Sequence, residues 1–269
     1  LTPFWRIEFA NNEEAATMTT FSGEVALVTG SSTGIGRAIA LDLAGEGCRV
    51  VVHYNSSEDE AREVVESVES SGGEAMMVSG DVADGTEVRR MVVEIESRFG
   101  GVDILVNNAG TLIERRPFAE MTEDLWDRVM DVNLKSVYLV SQAVLPLMQR
   151  AGKGRIINIT SVAARNGGST GSTAYASAKA GVSTLTRSMA KELISENILV
   201  NAVSPGVIDT LFHDRFSEPE ARKKREKTIP IGREGKPEEI SGVVTFLASP
   251  AADYLVGEIV EVNGGQLMG

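Results

Sequence analysis

Val25-Ala-Leu-Val-Thr-Gly30-Ser-Ser-Thr-Gly34-Ile-Gly36 decides the fold. Its first four residues form a short, wholly apolar run, as expected of a strand buried on both faces of a parallel sheet. The run passes through glycines into a helical stretch from Arg37 to Glu46. In that context Gly30 permits a tight turn. Gly34 and Gly36 let the backbone approach a pyrophosphate at the helix N-terminus, where orphan N–H groups and the helix dipole favour an anion. The spacing is G-x-x-x-G-x-G rather than the commonest dinucleotide fingerprint G-x-G-x-x-G.

The rest of the chain repeats the strand–helix alternation. Arg49–Val52, Ala75–Val78, Ile104–Val106, Ile156–Ile159, Leu199–Val203 and Ile259–Val262 read as further strands. Helices are expected from the capping box at Ser57–Glu60, over Val88–Phe99, behind a Thr122 cap, and from about Asn133 to Arg150 with a bend or restart at Pro146. Alternation of this kind implies an α/β fold: a single doubly wound parallel sheet (Rossmann-type) of about seven strands with helices on both faces. One domain is expected over 18–269, with a lid at about 207–233 where the chain leaves the sixth strand.

Composition narrows the function. The net charge of −12 argues against a nucleic-acid partner, and no apolar run approaches a membrane span. Cys48 is the only cysteine, which excludes an intrachain disulfide and favours a cytoplasmic location. One cysteine and two histidines without ligand spacing imply no metal. Residues 1–17 carry no cationic-then-apolar leader pattern and are expected to be an extension or expression remnant ahead of Met18.

The chemistry is suggested by Ser161 and by Tyr175-Ala-Ser-Ala-Lys179. In a helix, residues four apart share a face at about 6 Å along the axis. An ammonium beside a phenol stabilises the phenolate and is expected to draw the tyrosine pKa down toward neutrality. Such a phenol exchanges a proton with a carbonyl or alcohol oxygen, to which Ser161 donates a second hydrogen bond. Positive side chains recur in loops at the expected mouth of the site: Arg115 and Arg116, Arg165, His213 and Arg222–Arg225. Of these, Arg116, Arg165 and His213 are the candidates for binding an anionic substrate group.

From about Phe21 onward the chain resembles the short-chain dehydrogenase/reductase family in its short single-domain form. The resemblance rests on Thr29-Gly-x-x-x-Gly-Ile-Gly36, Asp81-Val82, Asn107-Asn-Ala-Gly110, Asn133, Ser161, Tyr175-x-x-x-Lys179, Pro205-Gly206 and Val262-Asn-Gly-Gly265, all in order. Within the family it is most like the 3-oxoacyl-[acyl-carrier-protein] reductase type. Sugar, polyol and uronate-derived keto-acid dehydrogenases share the framework. A dinucleotide-binding sensor or scaffold without turnover is the rival from another class, opposed by the presence of every catalytic residue type.

The resemblance implies hydride transfer between a nicotinamide and a carbonyl or secondary alcohol. Tyr175 is then the acid/base, Ser161 polarises the carbonyl in preference to its neighbour Thr160, Lys179 holds the nicotinamide ribose, and Asn133 positions a relay water. The implied cofactor set comprises Gly30, Ser32, Gly34, Ile35 and Gly36; Tyr54, Asn55 and Ser56; Asp81 and Val82 beside the adenine; Asn108, Ala109 and Gly110; Tyr175 and Lys179; and Pro205, Gly206, Val207, Ile208 and Thr210 toward the carboxamide. After the second strand, His53-Tyr-Asn-Ser-Ser57 lacks the acid that would repel an adenosine 2′-phosphate, and His53, Ser56 or Ser57 is placed to bond one. NADP(H) is therefore expected over NAD(H). Partners implied are a small carbonyl or alcohol substrate, a carrier-bound acyl chain among them, and further copies of the chain in a homotetramer with an interface of helix pairs.

Overall fold

The computed structural model describes residues 20–210 and 226–268. Seven parallel strands form one sheet in the order β3-β2-β1-β4-β5-β6-β7. They are β1 (Val25–Val28), β2 (Arg49–Tyr54), β3 (Ala75–Ser79), β4 (Ile104–Asn107), β5 (Gly154–Ile159), β6 (Ile198–Pro205) and β7 (Ile259–Val262). The α/β reading thus holds strand by strand, with β1 and β7 as expected and the other five longer: β2 runs on to Tyr54, β3 to Ser79 and β4 to Asn107, β5 starts at Gly154, and β6 runs from Ile198 to Pro205.

Period-two alternation explains why the strands are apolar throughout. On β1, Ala26 and Val28 face one layer while Val25 and Leu27 face the other. The first layer holds α1 (Gly34–Gly45) and α2 (Glu58–Ser70), through Ile39, Leu43, Ala61 and Val64. The second holds α3 (Gly85–Phe99), α5 (Ser136–Ala151) and α7 (Thr173–Leu193), through Met91, Ile95, Val140, Val144, Met148, Ala190 and Leu193. The last described helix, α8 (Pro237–Ala248), closes the first layer against α1 with Ile240, Val244 and Leu247, and Ser241 there donates a hydrogen bond to Asp42. Fully burying side chains of this size stabilises the fold by about 1.5–3 kcal/mol each, so the two layers carry most of its stability.

Helix ends follow local chemistry in some places and not in others. Asp84 caps α3 by accepting from the Thr86 and Glu87 amides, and Thr122 caps α4 (Glu123–Met130) by accepting from Leu125. Ser57 makes no side-chain cap bond, so the expected capping box does not form; Glu58, Asp59 and Glu60 favour the N-terminus of α2 through the dipole instead. The expected break at Pro146 is also displaced. Pro146 lies inside α5, and the irregularity is a single π turn, Asp131–Lys135, joining α4 to α5. Of the expected lid, residues 211–225 lie outside the described residues. Val207–Thr210 leaves β6 and returns through a parallel bridge between Ile208 and Gly235.

Candidate active site

The strand order reverses between β1 and β4, and a cleft of about 710 Å³ opens at the C-terminal ends of the strands there. This is where open α/β sheets bind ligands. The glycine turn forms one wall. Gly30 and Gly34 have φ of +63° and +57°, conformations that a side chain resists. At Gly36 a Cβ would fall against the Gly30 carbonyl and lie 2.5 Å from Asn108 Nδ2, so only glycine fits. Asn108 fastens the turn: its Nδ2 donates to the carbonyls of Thr29 (2.9 Å) and Gly30 (3.0 Å), while Thr29 Oγ1 accepts from the amides of Asn108 and Ala109.

The start of α1 is left open for an anion. Its N-cap, Thr33, makes no side-chain cap bond, and its first turn carries no acid. The N–H groups of Gly34, Ile35 and Gly36 lack intrahelical partners in such a turn. These residues fit the pyrophosphate of a dinucleotide.

Tyr54, Asn55, Ser56 and Ser57 continue the lining after β2, Asp81 and Val82 after β3, and Asn108, Ala109 and Gly110 after β4. The Asp81 carboxylate accepts from the Ala83 amide at 2.9 Å and its own amide donates to Glu87, which fixes that loop. His53 differs from the sequence expectation. Only 1% of it is exposed and both ring nitrogens are engaged, so it has no edge left for a 2′-phosphate.

At the other end of the cleft the catalytic candidates converge. Tyr175 and Lys179 project from α7, and Ser161 follows β5. Ser161 is hydrogen-bonded to the Tyr175 side chain, and its Oγ also accepts from the Ala163 amide at 3.1 Å. Thr160 points elsewhere: its hydroxyl bonds the Lys179 carbonyl and Ser183, both at 3.0 Å, and serves packing against α7. Lys179 is 3% exposed and donates to the Ile159 carbonyl at 2.8 Å. Its Nζ stands 5.8 Å from the Tyr175 ring centre.

This geometry reverses one expectation. Burial pushes the Tyr175 phenol up to about 12, against a smaller lowering by Ser161. Tyr175 as a residue is half-buried and lines the cleft, and desolvation is the larger influence on its phenol. Burial also pushes Lys179 down to about 8. The ammonium is spent on Ile159 rather than aimed at the phenol, so desolvation outweighs the charge.

Asn133 sits in the π turn, fully buried. Its Nδ2 donates to Val129 and Thr111 carbonyls, both at 2.8 Å, and its Oδ1 accepts from the Thr111 amide at 3.1 Å. The side chain thus ties the strand-end loop at Gly110–Thr111 to α4. A Cβ on Gly110 would lie 2.7 Å from Asn133 Oδ1 and 3.3 Å from Lys179 Nζ, which places these two groups on the same spot of backbone.

The third wall is Pro205, Gly206, Val207, Ile208 and Thr210. Gln266 supports it by accepting from the Val207 amide at 3.0 Å and also reaches the cleft. Nothing in the residue pattern singled Gln266 out, although it lies one residue beyond the Val262-Asn-Gly-Gly265 motif. Ile113 was not singled out either, a β-branched residue at φ +59° that lines the cleft.

The cations sort differently from expectation. Arg116 pairs with Glu114 (2.7 Å) and Glu120 (3.8 Å), and Arg165 with Glu261 (3.5 Å); neither lines the cleft. Arg115 and Arg128 do, Arg115 donating to Ser169 Oγ at 2.7 Å. His213 lies outside the described residues. Among the described residues no His/Cys/Asp/Glu cluster could hold a metal, and no helix is long and apolar enough to cross a membrane.

A Rossmann sheet with a dinucleotide cradle running into a Ser–Tyr–Lys cluster defines a nicotinamide-dependent oxidoreductase. Known proteins agree. A family profile described as enoyl-(acyl carrier protein) reductase matches residues 30–266. The chain is 44% identical over 243 residues to a 3-oxoacyl-[acyl-carrier-protein] reductase of Staphylococcus epidermidis, covering 90% of this chain and 98% of that one. It is equally identical over 253 residues to a 3-oxoacyl-[acyl-carrier-protein] reductase of Synechocystis, covering 93% and 100%. A solved structure assigned as a gluconate dehydrogenase from Agrobacterium tumefaciens superposes with a TM-score of 0.88 at 34% identity, covering 94% and 99%. One assigned as an NAD(P)-dependent gluconate 5-dehydrogenase from Beutenbergia cavernae, with NADP bound, gives 0.86 at 35%, covering 93% and 98%. The chain belongs to the short-chain dehydrogenase/reductase family and is an NAD(P)-dependent oxidoreductase acting on a carbonyl/alcohol group.

Proposed function

We propose that the protein reduces 3-oxoacyl thioesters, presented on a carrier, with NADP(H). The observation that carries the chemistry is the pair of hydroxyls, Ser161 and Tyr175, bonded to each other in the cleft that begins at the glycine turn. Two donors side by side can both bond one carbonyl oxygen. With its pKa raised to about 12, Tyr175 holds its proton at neutral pH, the form that carbonyl reduction requires. Ser161 polarises the same oxygen. Lys179 fixes the cofactor's sugar from a buried position, and Asn133 holds the backbone over which a relay water would return a proton to Tyr175. The bound cofactor supplies the hydride.

The substrate class draws on the 44% identity to two 3-oxoacyl-[acyl-carrier-protein] reductases over nearly their whole length. The profile's own description concerns an enoyl substrate, whose reduced bond is C=C. Paired donors on a single oxygen favour the keto group. A second reading, a sugar-acid dehydrogenase, is favoured by the two solved structures assigned to gluconate. For either anion, we place the charged part of the substrate at Arg115 and Arg128, the arginines that line the cleft, ahead of Arg116 and Arg165. NADP(H) is preferred because Tyr54–Ser57 presents amide and hydroxyl groups and no carboxylate to the adenosine ribose.

We further propose a homotetramer in the cytoplasm, the latter in keeping with a lone, buried Cys48. Its helix-pair interface would cover an apolar hollow between the π turn, α5 and α7, lined by Met130, Leu134, Tyr138, Gly181 and Leu185. The deciding experiment follows NADPH oxidation with a 3-oxoacyl thioester, the matching 2-enoyl thioester and a keto-gluconate. A kcat/KM highest for the 3-oxoacyl thioester supports the reading; a value tenfold higher for either rival refutes it.

A further inference from the structure

His53 is the last residue but one of β2, borders the cleft beside Tyr54–Ser57 and touches none of the reacting groups. Its ring lies between two backbone groups. The Gly30 amide donates to Nδ1 at 2.9 Å, and Nε2 lies 2.9 Å from the Gly80 carbonyl. An amide can only donate and a carbonyl only accept, so Nδ1 is the bare nitrogen and Nε2 carries the hydrogen. The ring is neutral in one tautomer, and burial, which pushes its pKa down, agrees. The main chain adds three more ties: His53 N donates to Ser31 Oγ, Ser31 N to His53 O, and Gly80 N to Tyr54 O.

Three loops meet at this one residue. Gly30 opens the phosphate turn, Tyr54–Ser57 follows His53 directly, and Gly80 precedes Asp81 and Val82. The Asn108 side chain grips the turn through the carbonyls of Thr29 and Gly30, whereas the Gly30 amide is held by His53. A planar ring bonded at both ends has no rotamer left by which to change the gap.

We propose that His53 is a positioning residue for the dinucleotide, a rigid spacer that sets the separation between the phosphate turn and the Asp81–Val82 wall. It acts on cofactor affinity and not on proton or hydride transfer, because the Ser161–Tyr175–Lys179 cluster is carried by β5 and α7 and takes no bond from it. The inference needs only that the enzyme binds a dinucleotide at the glycine turn; it does not depend on which carbonyl is reduced.

The two bonds can be cut separately. In His53→Asn the amide oxygen stands where Nδ1 stood and keeps the Gly30 contact, while the Gly80 contact is lost. In His53→Gln the longer amide nitrogen reaches toward Gly80 and the Gly30 contact is lost. His53→Leu loses both. The readout is NADPH Kd by fluorescence titration, with melting temperature and steady-state constants alongside. We expect Kd to weaken about three- to tenfold in each amide variant and more than thirtyfold in His53→Leu, with kcat at saturating NADPH within twofold of wild type. Each amide variant retains one bond, so the test stands even if His53→Leu does not fold. Wild-type Kd in both amide variants, a lowered melting temperature without a change in Kd, or a fall in kcat with the cofactor KM unchanged would each overturn the proposal.

Discussion

Gly36→Ala puts the cofactor cradle to a quantitative test. In an ordinary helix this change gains about 0.8–1.0 kcal/mol, because alanine loses less backbone freedom than glycine. Position 36 is not ordinary. The new methyl would press on the Gly30 carbonyl, lie 2.5 Å from Asn108 Nδ2 and 2.9 Å from Ser31 Cα. Withdrawal of Asn108 would not relieve the Gly30 carbonyl or Ser31 Cα, so the turn itself must shift at an overpacking cost of about 1–3 kcal/mol, with the Asn108 bonds to Thr29 and Gly30, about 1 kcal/mol each, strained as well. Together these costs exceed the helix gain, so a net destabilisation of roughly 1–2 kcal/mol is expected, with NADPH Kd weakened at least tenfold. Gly45→Ala is the internal control: it lies on the same helix, and a Cβ there meets nothing within 4 Å, so it should stabilise by about 0.5–1 kcal/mol. Urea denaturation gives both values, and NADPH fluorescence gives the affinities. A Gly36→Ala protein as stable as Gly45→Ala, with wild-type Kd, would refute the cradle.

Tyr175→Phe should abolish turnover with NADPH Kd within about threefold of wild type; a loss of less than about tenfold, 1.4 kcal/mol of barrier, would remove Tyr175 from the chemistry. Because burial raises the Tyr175 phenol to about 12, it is protonated throughout the neutral range: carbonyl reduction should be level from about pH 6 to 7, below the Lys179 value of about 8, whereas alcohol oxidation, which needs the phenolate, should climb with pH over 7–9. An oxidation rate independent of pH in that range contradicts the assignment. Arg128→Ala should raise KM for an anionic substrate and leave its neutral ester unchanged, while Arg116→Ala, already neutralised by Glu114 and Glu120, should alter neither; equal effects of the two would mean that no cation at the mouth reads the substrate's charge. Light scattering should give a tetramer at micromolar concentration, and a Leu134→Arg substitution in the apolar hollow should yield smaller species; a stable wild-type monomer ends that proposal.

Much of the architecture was legible because it rests on short-range signals. Val25–Val28 is apolar at every position because both sheet faces are covered, and Gly30, Gly34 and Gly36 mark a turn with no room for side chains. Thr122 caps the helix that follows it, as its place in the sequence suggests. Burial and long-range contact were less legible. The Tyr175–Lys179 spacing fixes which face they share, but not that Lys179 turns to Ile159 and leaves desolvation to govern both groups. His53 reads as a polar residue beside a phosphate site until Gly30 and Gly80, far apart in sequence, are seen to hold its ring. Arg115 and Arg116 are neighbours in the chain, yet only Arg115 lines the cleft.

The π turn at Asp131–Lys135 stores one residue of slack in this part of the chain. A π turn holds one residue more than regular helix would, and each residue of α-helix advances about 100° around the axis. Deleting one residue from Asp131 to Lys135 would restore an unbroken ladder while the stripe Val137, Val140, Val144 and Met148 kept its face on the sheet. Deleting one residue inside α5 would instead swing everything beyond the cut by about 100°. A deletion library should therefore lose the fold within Ser136–Ala151 and keep it within Asp131–Lys135, where the loss should fall on activity through the displaced Asn133.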